Sequence, residues 1–326
     1  MIIIDSDGGV DDLLCLVMAS RLVARDIGGV TAVFGNVNVD QAASNIIYSL
    51  GLVNPPITPL LGLGAKEASD GFRQFATTIH GLDGLGGARA IRPQTATPST
   101  VMSLAEFAAR LSDRLDRSRQ KVDLLGVGPA TNIPVLIEKL GAESINRIVL
   151  MSGAFFDYGN ITNWAEFNAY NDPQALVDTL ATGIPLTVVP LDLCRKVLLT
   201  CERIDALSAA TVVEGRPMAA ALREYAKANE RREGVRGCFP HDAVALLVML
   251  RPDQFYLVDA EVSVDLNAAR RGCTRLRAVG GSGANARVAL GGRLRWVRWM
   301  IETEWLRERP SIVANPVDYP NRSDMT

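Results

Sequence analysis

The sequence predicts an α/β fold: an open, mainly parallel twisted sheet with helices on both faces, and small mixed elements towards the C-terminus. The first observation is an alternation of short apolar, β-branched runs with longer segments of helical apolar periodicity. The second is that these runs end in polar residues, as strands do when they lead into the ligand crevice of such a sheet. After Pro252, shorter strand-like runs replace the alternation and predict the mixed elements.

The predicted elements follow the chain in this order. Strands are expected at 2–5, 29–34, 57–61, 122–125, 148–151, 186–189, 256–266, 274–278 and 286–290. Helices are expected at 13–23, 40–52, 104–115, 216–230 and 302–307, with one more ending at 140 and another opening at 241. Ser99 or Thr100 is the expected N-cap of the helix 104–115. With no internal repeat and no evident linker, we expect a single domain over 1–309 and an extended or disordered tail over 310–326.

Composition and charge exclude several classes of partner. The 326 residues carry a net charge of −2 with a pI near 5.8, so we expect no nucleic-acid and no membrane partner. The five cysteines are scattered, without a C-x-x-C pair, which indicates reduced thiols. The first residues lack the pattern of a signal peptide and no apolar run reaches transmembrane length, so we expect neither a cleaved leader nor a membrane-spanning helix. These features predict a soluble, cytoplasmic protein.

Four carboxylates cluster in a short loop near the start of the chain. Asp5 and Asp7 follow the first strand, two glycines permit a sharp turn, and Asp11 and Asp12 open the first helix. A helix dipole stabilises a nearby carboxylate by about 0.3–1 kcal/mol, which is too little to keep the whole cluster ionised. A bound cation would do so, and oxygen ligands without cysteine or histidine favour Ca²⁺ or Mg²⁺ over Zn²⁺. The alternative is that these acids only cap the turn and the helix.

A second functional interpretation of this loop is open. An apolar strand followed by Asp-x-Asp-Gly resembles the nucleophile loop of haloacid-dehalogenase-type phosphatases, which also use a metal. That motif requires threonine or valine where Gly9 stands, and the pair Asp11-Asp12 does not fit it. A phosphatase therefore ranks below a cation site that uses the clustered acids.

Polar residues at later strand ends predict a sugar site on the same side of the sheet. Asn36 follows the second strand and falls on the side of Asp7. After the strand 148–151, amides and a carboxylate are interleaved with Trp and Phe: Asn160, Asn163, Glu166 and Asn168. Amide and carboxylate groups bind hydroxyls, and aromatic faces cover the apolar side of a sugar. Turns held by their own asparagine side chains are the alternative for both segments.

The two histidines of the chain lie in different contexts. His80 stands in a long glycine-rich segment, where taken alone it is expected to be a solvated loop residue. His241 precedes Asp242 at the start of an apolar helix. If Asp242 joins the acidic cluster, the imidazole of His241 lies at the mouth of the same site and can act as a proton donor. A helix-capping Asp242 beside a solvated His241 is the alternative.

Together these motifs make the sequence resemble the nucleoside hydrolase family, the inosine-uridine-preferring nucleoside N-ribohydrolases. The matching stretches, in chain order, are Asp5-Ser6-Asp7-Gly8-Gly9-Val10-Asp11-Asp12, Gly35-Asn36, His80-Gly81 with Gly84-Leu85-Gly86, Gly128-Pro129-Ala130-Thr131-Asn132, Gly159-Asn160 with Ala165-Glu166-Phe167-Asn168, Asp172-Pro173, Pro190-Leu191-Asp192 and His241-Asp242. They run from Ile2 to about Ala289, and the whole set in this order is specific.

The resemblance implies a Rossmann-like fold, a Ca²⁺ ion and a ribonucleoside substrate. The implied Ca²⁺ ligands are Asp7, Asp12 through both oxygens, the backbone carbonyl of Val127 and Asp242, with the ribose 2′- and 3′-hydroxyls completing the shell. The implied sugar contacts are Asp11, Asn36, Asn160, Glu166 and Asn168, and base-facing residues come from the loop near His80 and the segment 225–237. The family also suggests a homodimer or homotetramer and a role in purine or pyrimidine salvage.

The implied reaction is hydrolysis of the N-glycosidic bond, which yields free base and ribose. Metal-bound water would lose its proton to Asp7. The ribose would pass through an oxocarbenium-like state, and His241 would protonate the leaving base. The alternative on the same fold is a noncatalytic nucleoside- or ribose-binding protein, which would keep the sugar loop and lose the metal acids.

The sequence departs from the family pattern in several motifs. Ser6 and Gly8 replace the usual Thr and Pro of the first motif, Ser152 replaces a Gly, and Cys194 replaces a Thr. None of these changes removes an implied metal ligand. Gly8 in place of Pro is expected to loosen the first loop.

Overall fold

The computed structural model describes residues 1–91, 100–210, 215–281 and 283–306. Within these ranges the strands are β1 (Ile2–Ser6), β2 (Ile27–Ala32), β3 (Leu60–Leu63), β4 (Val101–Ser103), β5 (Val122–Gly126), β6 (Ile145–Met151), β7 (Leu186–Val189), β8 (Leu199–Thr200), β9 (Gly237–Cys238), β10 (Phe255–Val264), β11 (Thr274–Val279) and β12 (Ala286–Gly292). The helices are α1 (Val10–Leu22), α2 (Val39–Val53), α3 (Thr77–His80), α4 (Ala88–Ile91), α5 (Leu104–Ser118), α6 (Asn132–Leu140), α7 (Phe167–Asn171), α8 (Pro173–Leu180), α9 (Leu191–Cys194), α10 (Cys201–Ala210), α11 (Arg216–Glu233), α12 (His241–Leu250) and α13 (Leu294–Leu306). Among the residues described, no helix combines the length and apolar character needed to cross a membrane.

Ten of the described strands form one sheet, in the order β11-β10-β12-β7-β6-β5-β1-β2-β3-β4. Every neighbouring pair from β12 to β4 is parallel, whereas β10 pairs antiparallel with β11 and β12. The short strands β8 and β9 form a separate antiparallel ribbon. The predicted mainly parallel sheet with small mixed elements near the C-terminus is confirmed.

Alternate residues of the central strand β1 face opposite layers of helices. Ile2 and Ile4 pack into one core with residues of α1, α2 and α12, and Ile3 packs into a second core with residues of α5, α6 and α8. Successive side chains of a strand point to opposite faces, so a strand covered on both sides must be apolar throughout. The continuous apolar run at the start of the sequence meets this requirement, and helices cover both faces as predicted.

The chain changes direction across the sheet between β1 and β5. From β1 it adds β2, β3 and β4 on one side, and it then returns to place β5, β6 and β7 on the other. Asp5, near the end of β1, is in register with Thr31 of β2 and Gly126 of β5. Open α/β sheets bind ligands outside the carboxyl ends of their strands at such a switch point. The residues that follow β1 and β5, Asp7 and Val127, are therefore placed at a site.

The third strand lies later in the chain than predicted. It spans Leu60–Leu63 instead of 57–61. Proline has no backbone N–H to donate to a neighbouring strand, so Pro59 marks the position before the ladder begins. The apolar character of Ile57 does not place it in the sheet, and its side chain is exposed.

The cap of α5 also differs from the prediction. Ser103 occupies the N-cap position, and its Oγ accepts the backbone N–H of Glu106 at 3.2 Å. Thr100 stands before β4 and does not cap the helix, and Ser99 lies outside the described residues. A serine followed three residues later by a glutamate is a recognised helix-start pattern, so the signal was present in the sequence.

The C-terminal helix is longer than predicted. It begins at Leu294 instead of near residue 302. The buried side chains on α13 include Val297, Ile301 and Trp305, which are spaced four residues apart, while the arginines at 295 and 298 are exposed. The predicted tail over 310–326 lies outside the described residues.

Candidate active site

A tight turn carries the chain from β1 into α1 and sets the spacing of the acids. Gly8 has a φ of +72°, and a Cβ at this position would lie 2.7 Å from Cα of Ala42 on α2. Nδ2 of Asn45, also on α2, donates to the carbonyl oxygen of Gly8 at 2.7 Å. Proline cannot adopt a positive φ, so it could not occupy this position in the turn. The close approach to Ala42 and the hydrogen bond from Asn45 hold the loop tightly against α2, so the loosening expected from Gly8 is not observed.

Asp12 has two roles at the start of α1. Its Oδ2 accepts the backbone N–H of Gly9 at 2.8 Å, and its Oδ1 accepts the hydroxyl of Ser6 at 2.5 Å. The capping interpretation thus applies to this acid. Asp12 also belongs to a buried group with Asp11 and Asp242, in which one oxygen from each carboxylate lies within 4.8 Å of the others. We call these three residues the acidic cluster.

The acidic cluster can hold a metal ion. Burial, followed by the charge of Asp11, raises the pKa of Asp242 well above its ordinary value and also raises the pKa of Asp12. Such groups ionise together only when positive charge compensates them. Oδ1 of Asp11 accepts no hydrogen bond within the described part of the chain. The donor atoms are all oxygen, which fits a hard cation.

Asp7, a predicted metal ligand, lies beside the acidic cluster and is bound by Asn36. The backbone N–H of Asn36 donates to Oδ2 of Asp7 and its Nδ2 donates to Oδ1, both at 2.8 Å. The same Nδ2 is 3.3 Å from Oδ2 of Asp12. Burial, followed by the charge of Asp12, raises the pKa of Asp7 well above its ordinary value. Asn36 lines the cleft described below, whereas Asp7 is not among its lining residues.

Val127, whose carbonyl is the fourth predicted metal ligand, directly follows β5. Its N–H donates to the carbonyl oxygen of Asp5 at 2.8 Å. Its own carbonyl oxygen accepts Nδ2 of Asn168 at 3.0 Å, and the same nitrogen donates to the carbonyl oxygen of Met151 at 3.0 Å. Asn168, a predicted sugar contact, therefore ties together the ends of β5 and β6.

Asp5, the remaining acid of the first motif, lies beneath the site. Its Oδ1 accepts the hydroxyl of Thr31 at 2.5 Å and Nδ2 of Asn132 at 2.7 Å. Burial raises the pKa of its carboxyl to about 7. Asp5 does not line the cleft. Its contacts link β1 to β2 and to the start of α6.

His241, the first residue of α12, contacts two side chains, Asp11 of α1 and Tyr225 of α11. Its Nδ1 lies 3.2 Å from Oδ2 of Asp11 and 3.2 Å from the hydroxyl of Tyr225 on α11. Burial works to raise the pKa of Asp11, but its interactions with the two histidines, the hydrogen bond with His241 first, outweigh burial and lower that pKa. Asp11 is thus the member of the acidic cluster that ionises most readily.

His80 is buried, so the prediction of a solvated loop residue is wrong. Its Nδ1 accepts the backbone N–H of Val10 at 3.1 Å, so this nitrogen carries no proton and the neutral ring bears its proton on Nε2. Burial lowers the pKa of the ring. The ring centre lies 5.0 Å from that of Tyr225, and His80 lines the cleft. The two histidines thus approach the acidic cluster from different elements.

The loop after β6 forms another wall of the site. The carboxylate of Glu166 accepts three backbone N–H groups at 2.8, 2.9 and 3.0 Å, two of them at the start of α7. Burial raises the pKa of Glu166. Oδ1 of Asn160 accepts the N–H of Phe167 at 2.7 Å. The side chains of Glu166 and Asn160 therefore organise the loop as well as line the cleft, whereas Asn163 is exposed and lies outside it.

These groups surround one cleft at the carboxyl ends of the central strands, with about 650 Å³ of empty space that is partly open to solvent. The predicted residues in its lining are Asp11, Asn36, His80, Val127, Asn160, Glu166, Asn168, His241 and Asp242. The resemblance implies base-facing residues in the segment 225–237 but names none of them, and the charge of Arg232 predicts a solvated position. Its side chain is exposed, as predicted, and also lines the cleft. The helical spacing of Tyr225, Asn229 and Arg232, which all line the cleft, is the signal that could have identified this wall.

The fold and the cleft define a class of protein: α/β proteins that receive a small polar ligand over a buried, oxygen-only site at the switch point of a parallel sheet. The chain belongs to the inosine-uridine preferring nucleoside hydrolase family, whose sequence model matches residues 2–295. The predicted membership is confirmed, and the protein is an enzyme of the ribonucleoside-hydrolysing class.

Individual relatives agree on this class. Uridine nucleosidase 1 of Arabidopsis thaliana is 29% identical over 266 residues, which cover 81% of this chain and 78% of the relative. The pyrimidine-specific ribonucleoside hydrolase RihA of Salmonella schwarzengrund (strain CVM19633) is 31% identical over 273 residues, which cover 81% and 84%. A solved structure of a purine-preferring ribonucleoside hydrolase from Gardnerella vaginalis superposes with a TM-score of 0.81 at 26% identity, over 93% of this chain and 97% of that one. The names of these relatives share the reaction but differ in the base.

Proposed function

We propose that this enzyme hydrolyses the N-glycosidic bond of ribonucleosides in a Ca²⁺-dependent reaction that releases free base and ribose. The observation that carries the proposal is that Asp11 and Asp242 of the acidic cluster line the same cleft as His241. Carboxylates suited to a cation and an imidazole suited to proton transfer are the two kinds of group that this reaction requires.

The cation is proposed to bind Asp7, Asp12, Asp242 and the carbonyl of Val127, with Asp11 beside it. The raised pKa values of the first three acids support a site that is electrostatically complete only with a positive ion. Ca²⁺ takes about six to eight oxygen ligands, so these groups leave room for two sugar hydroxyls and water. When bound, such an ion polarises oxygen and lowers the pKa of water.

Asp7 is the proposed acceptor of the proton from the attacking water. A general base must lie within hydrogen-bond reach of the proton that it accepts, and a carboxylate on the cation would lie beside water held by the same cation. The two hydrogen bonds from Asn36 fix the orientation of the carboxylate.

His241 is the proposed donor of the proton to the leaving base. Oδ2 of Asp11 lies 3.2 Å from Nδ1, so the protonated ring can donate Nδ1–H to this carboxylate and keep Nε2–H for the base. The lowered pKa of Asp11 keeps its carboxylate charged and able to accept this hydrogen bond. The hydroxyl of Tyr225 contacts the same nitrogen and restrains the ring.

The ribose is proposed to lie between the acidic cluster and the loop after β6. The proposed contacts are Asp11, Asn36, His80, Asn160, Glu166 and Asn168, all of which line the cleft. Amides and carboxylates on both walls suit a ring whose hydroxyls both donate and accept. Hydrogen bonds that tighten as the ring distorts favour the oxocarbenium-like transition state.

We also propose a homodimer or homotetramer in the cytoplasm, with a role in purine or pyrimidine salvage. The family resemblance supports the oligomer and the role. The five cysteines are free thiols, and four of them are buried, which is typical of a protein kept in a reducing compartment.

The test of the proposed roles is ribose release by Asp7→Asn and His241→Ala, with Asp40→Asn as the matched control. Asp40 is an exposed acid in the first turn of α2, and its substitution should leave turnover unchanged. We expect each site variant to lower kcat by at least about 10²-fold while circular dichroism shows an intact fold. Near-normal turnover of either site variant would overturn the role given to that residue.

A further inference from the structure

Two arginines bind the loop that carries Asn160 to the wall of the cleft. Arg195, which follows α9, donates to two carbonyl oxygens in the segment 157–160 and pairs with an aspartate of that segment at 3.3 Å. It also pairs with Glu233 of α11 at 3.4 Å, and only 16% of its side chain is exposed. Arg232 of α11 donates to the carbonyl oxygen of Asn160. We call Arg195, Arg232 and the segment 157–160 the arginine bridge.

The arginine bridge lies between the cleft and a second cavity. This neighbouring cavity has about 890 Å³ of empty space, part of which is open to solvent, and is lined mainly by the loop 157–163 together with Val235. Asn160, Arg232, Glu233 and Phe239 line both cavities. These four residues therefore form the wall between the cleft and the second cavity, and the guanidinium of Arg232 is its charged part.

The proposed function, on which this step rests, fixes which end of a nucleoside meets the bridge. With the 2′- and 3′-hydroxyls at the acidic cluster and the base at His241, C4′ and the 5′-hydroxymethyl group that it carries lie across the ring oxygen from C1′, which bears the base. Tyr225, which touches His241, and Arg232, which touches Asn160, are separated by roughly 10 Å along α11. The 5′ end of the sugar therefore points towards the arginine bridge.

We propose that Arg232 is a specificity-determining residue, which closes the sugar end of the cleft to nucleosides with a substituent on the 5′ oxygen. Such a substituent must displace the guanidinium and break its hydrogen bond to the carbonyl of Asn160. An alkyl substituent cannot donate a hydrogen bond to this carbonyl, so the lost interaction is not replaced. Arg195 is a positioning residue, because it holds the segment 157–160 beside Glu233 and so keeps the carbonyl of Asn160 within reach of Arg232. Truncation of Arg232 joins the cleft to the second cavity, which offers the substituent room.

The test compares a parent ribonucleoside, the one that the wild-type enzyme hydrolyses fastest, with its 5′-O-propyl ether. We expect the wild-type kcat/KM to favour the parent by at least about tenfold, the scale of discrimination that a pocket makes against a misfitting group. Arg232→Ala should shrink this preference by at least about tenfold. Arg231→Ala is the matched control, because Arg231 is the adjacent exposed arginine of α11 and lines neither cavity.

A second variant keeps the test independent of any loss of fold. Arg195→Ala should shift the preference in the same direction by a smaller factor, and Arg195→Lys should recover part of it. A preference that stays constant in Arg232→Ala while both rates fall together would overturn the proposal, as would a wild-type enzyme that accepts the ether as well as the parent. Failure of the wild-type enzyme to release ribose from any parent nucleoside would instead contradict the proposed function, and this specificity with it.

Discussion

Oδ2 of Asp11, in the first turn of α1, lies 3.2 Å from Nδ1 of His241, the first residue of α12. The two residues are 230 positions apart in the chain, and the packing of α1 against α12 brings them together. Asp11 is also a member of the acidic cluster. This one carboxylate therefore joins the proposed cation site to the proposed proton donor.

Asp11→Asn should preserve the shape of the site and remove the charge that faces His241. We expect kcat to fall by about 10²–10⁴-fold, the range that a positioned acid or base contributes, because the protonated imidazole loses its anionic partner. Steady-state ribose release would measure this loss, and near-UV circular dichroism would check the fold. A variant with the wild-type kcat would contradict the pairing of Asp11 with His241.

The stability of the cation-free protein should fall as the pH rises from about 5 to about 8. Burial raises the pKa of Asp5 to about 7, and it raises the pKa values of Asp7, Asp12 and Asp242 above the ordinary 3.8. The stabilisation from protonating these groups is complete below the unfolded pKa and is lost as the pH rises through the folded pKa. Burial also raises the pKa values of Glu166 and Asp172, which act in the same sense, whereas the pKa of His80 is lowered by burial and acts in the opposite sense.

Calorimetric melting in the presence of a chelator would measure this dependence. Asp242→Asn should make the melting temperature less sensitive to pH, because one of the groups with a raised pKa is gone. Ca²⁺ at 100 times its Kd should add about 2.7 kcal/mol to the free energy of unfolding and weaken the pH dependence. A chelated protein whose melting temperature increases steadily over this range would contradict the prediction.

Gly8→Ala should destabilise the protein more than Gly87→Ala. Both glycines have a positive φ, +72° and +79°, so the backbone strain of about 1–2 kcal/mol is common to the two variants. A Cβ at Gly8 would lie 2.7 Å from Cα of Ala42, whereas a Cβ at Gly87 meets nothing within 4 Å. Urea unfolding would give the difference in the free energy of unfolding. Equal losses would contradict the close packing of the acidic loop against α2.

Glu166→Gln should destabilise the loop after β6 as well as weaken substrate binding. An amide nitrogen cannot accept a hydrogen bond, so at least one of the buried N–H groups now bound by Glu166 loses its acceptor, at a cost of about 1–3 kcal/mol. Glu138→Gln, at an exposed position of α6, is the control and should change the free energy of unfolding by less than about 0.5 kcal/mol. Equal stability of the two variants would exclude the role of Glu166 in organising the loop.

The parts of the site that the sequence predicts are those with a local cause. An apolar run that ends in acids marks the end of a buried strand, and parallel topology then brings Asn36 and Val127 to the edge where Asp7 lies. The hydrogen bonds from Asn36 to Asp7 and Asp12 have no such local signal. They depend on the path of two loops that only the folded sheet brings together.

The burial of His80 could not be predicted for a related reason. The ring is held by the N–H of Val10 and packs against Tyr225, which are 70 residues before and 145 residues after it in the chain. Nothing in the surrounding glycine-rich segment indicates either contact. The wall formed by α11 could be predicted in part, because the helical spacing of Tyr225 and Arg232 places them on one face. The charge of Arg232 predicts an exposed side chain, which the structure has, and gives no sign that the residue also lines the cleft.

Calcium dependence of ribose release bears on the proposed reaction and on the acidic cluster together. Purified enzyme would be assayed with purine and pyrimidine ribonucleosides before chelation, after chelation, and during back-titration with Ca²⁺, alongside Asp242→Asn. We predict that chelation abolishes ribose release, that Ca²⁺ restores it, and that Asp242→Asn requires a higher Ca²⁺ concentration for half-maximal rate. Full ribose release by chelated enzyme that elemental analysis shows to be free of metal would contradict Ca²⁺-dependent catalysis at this site.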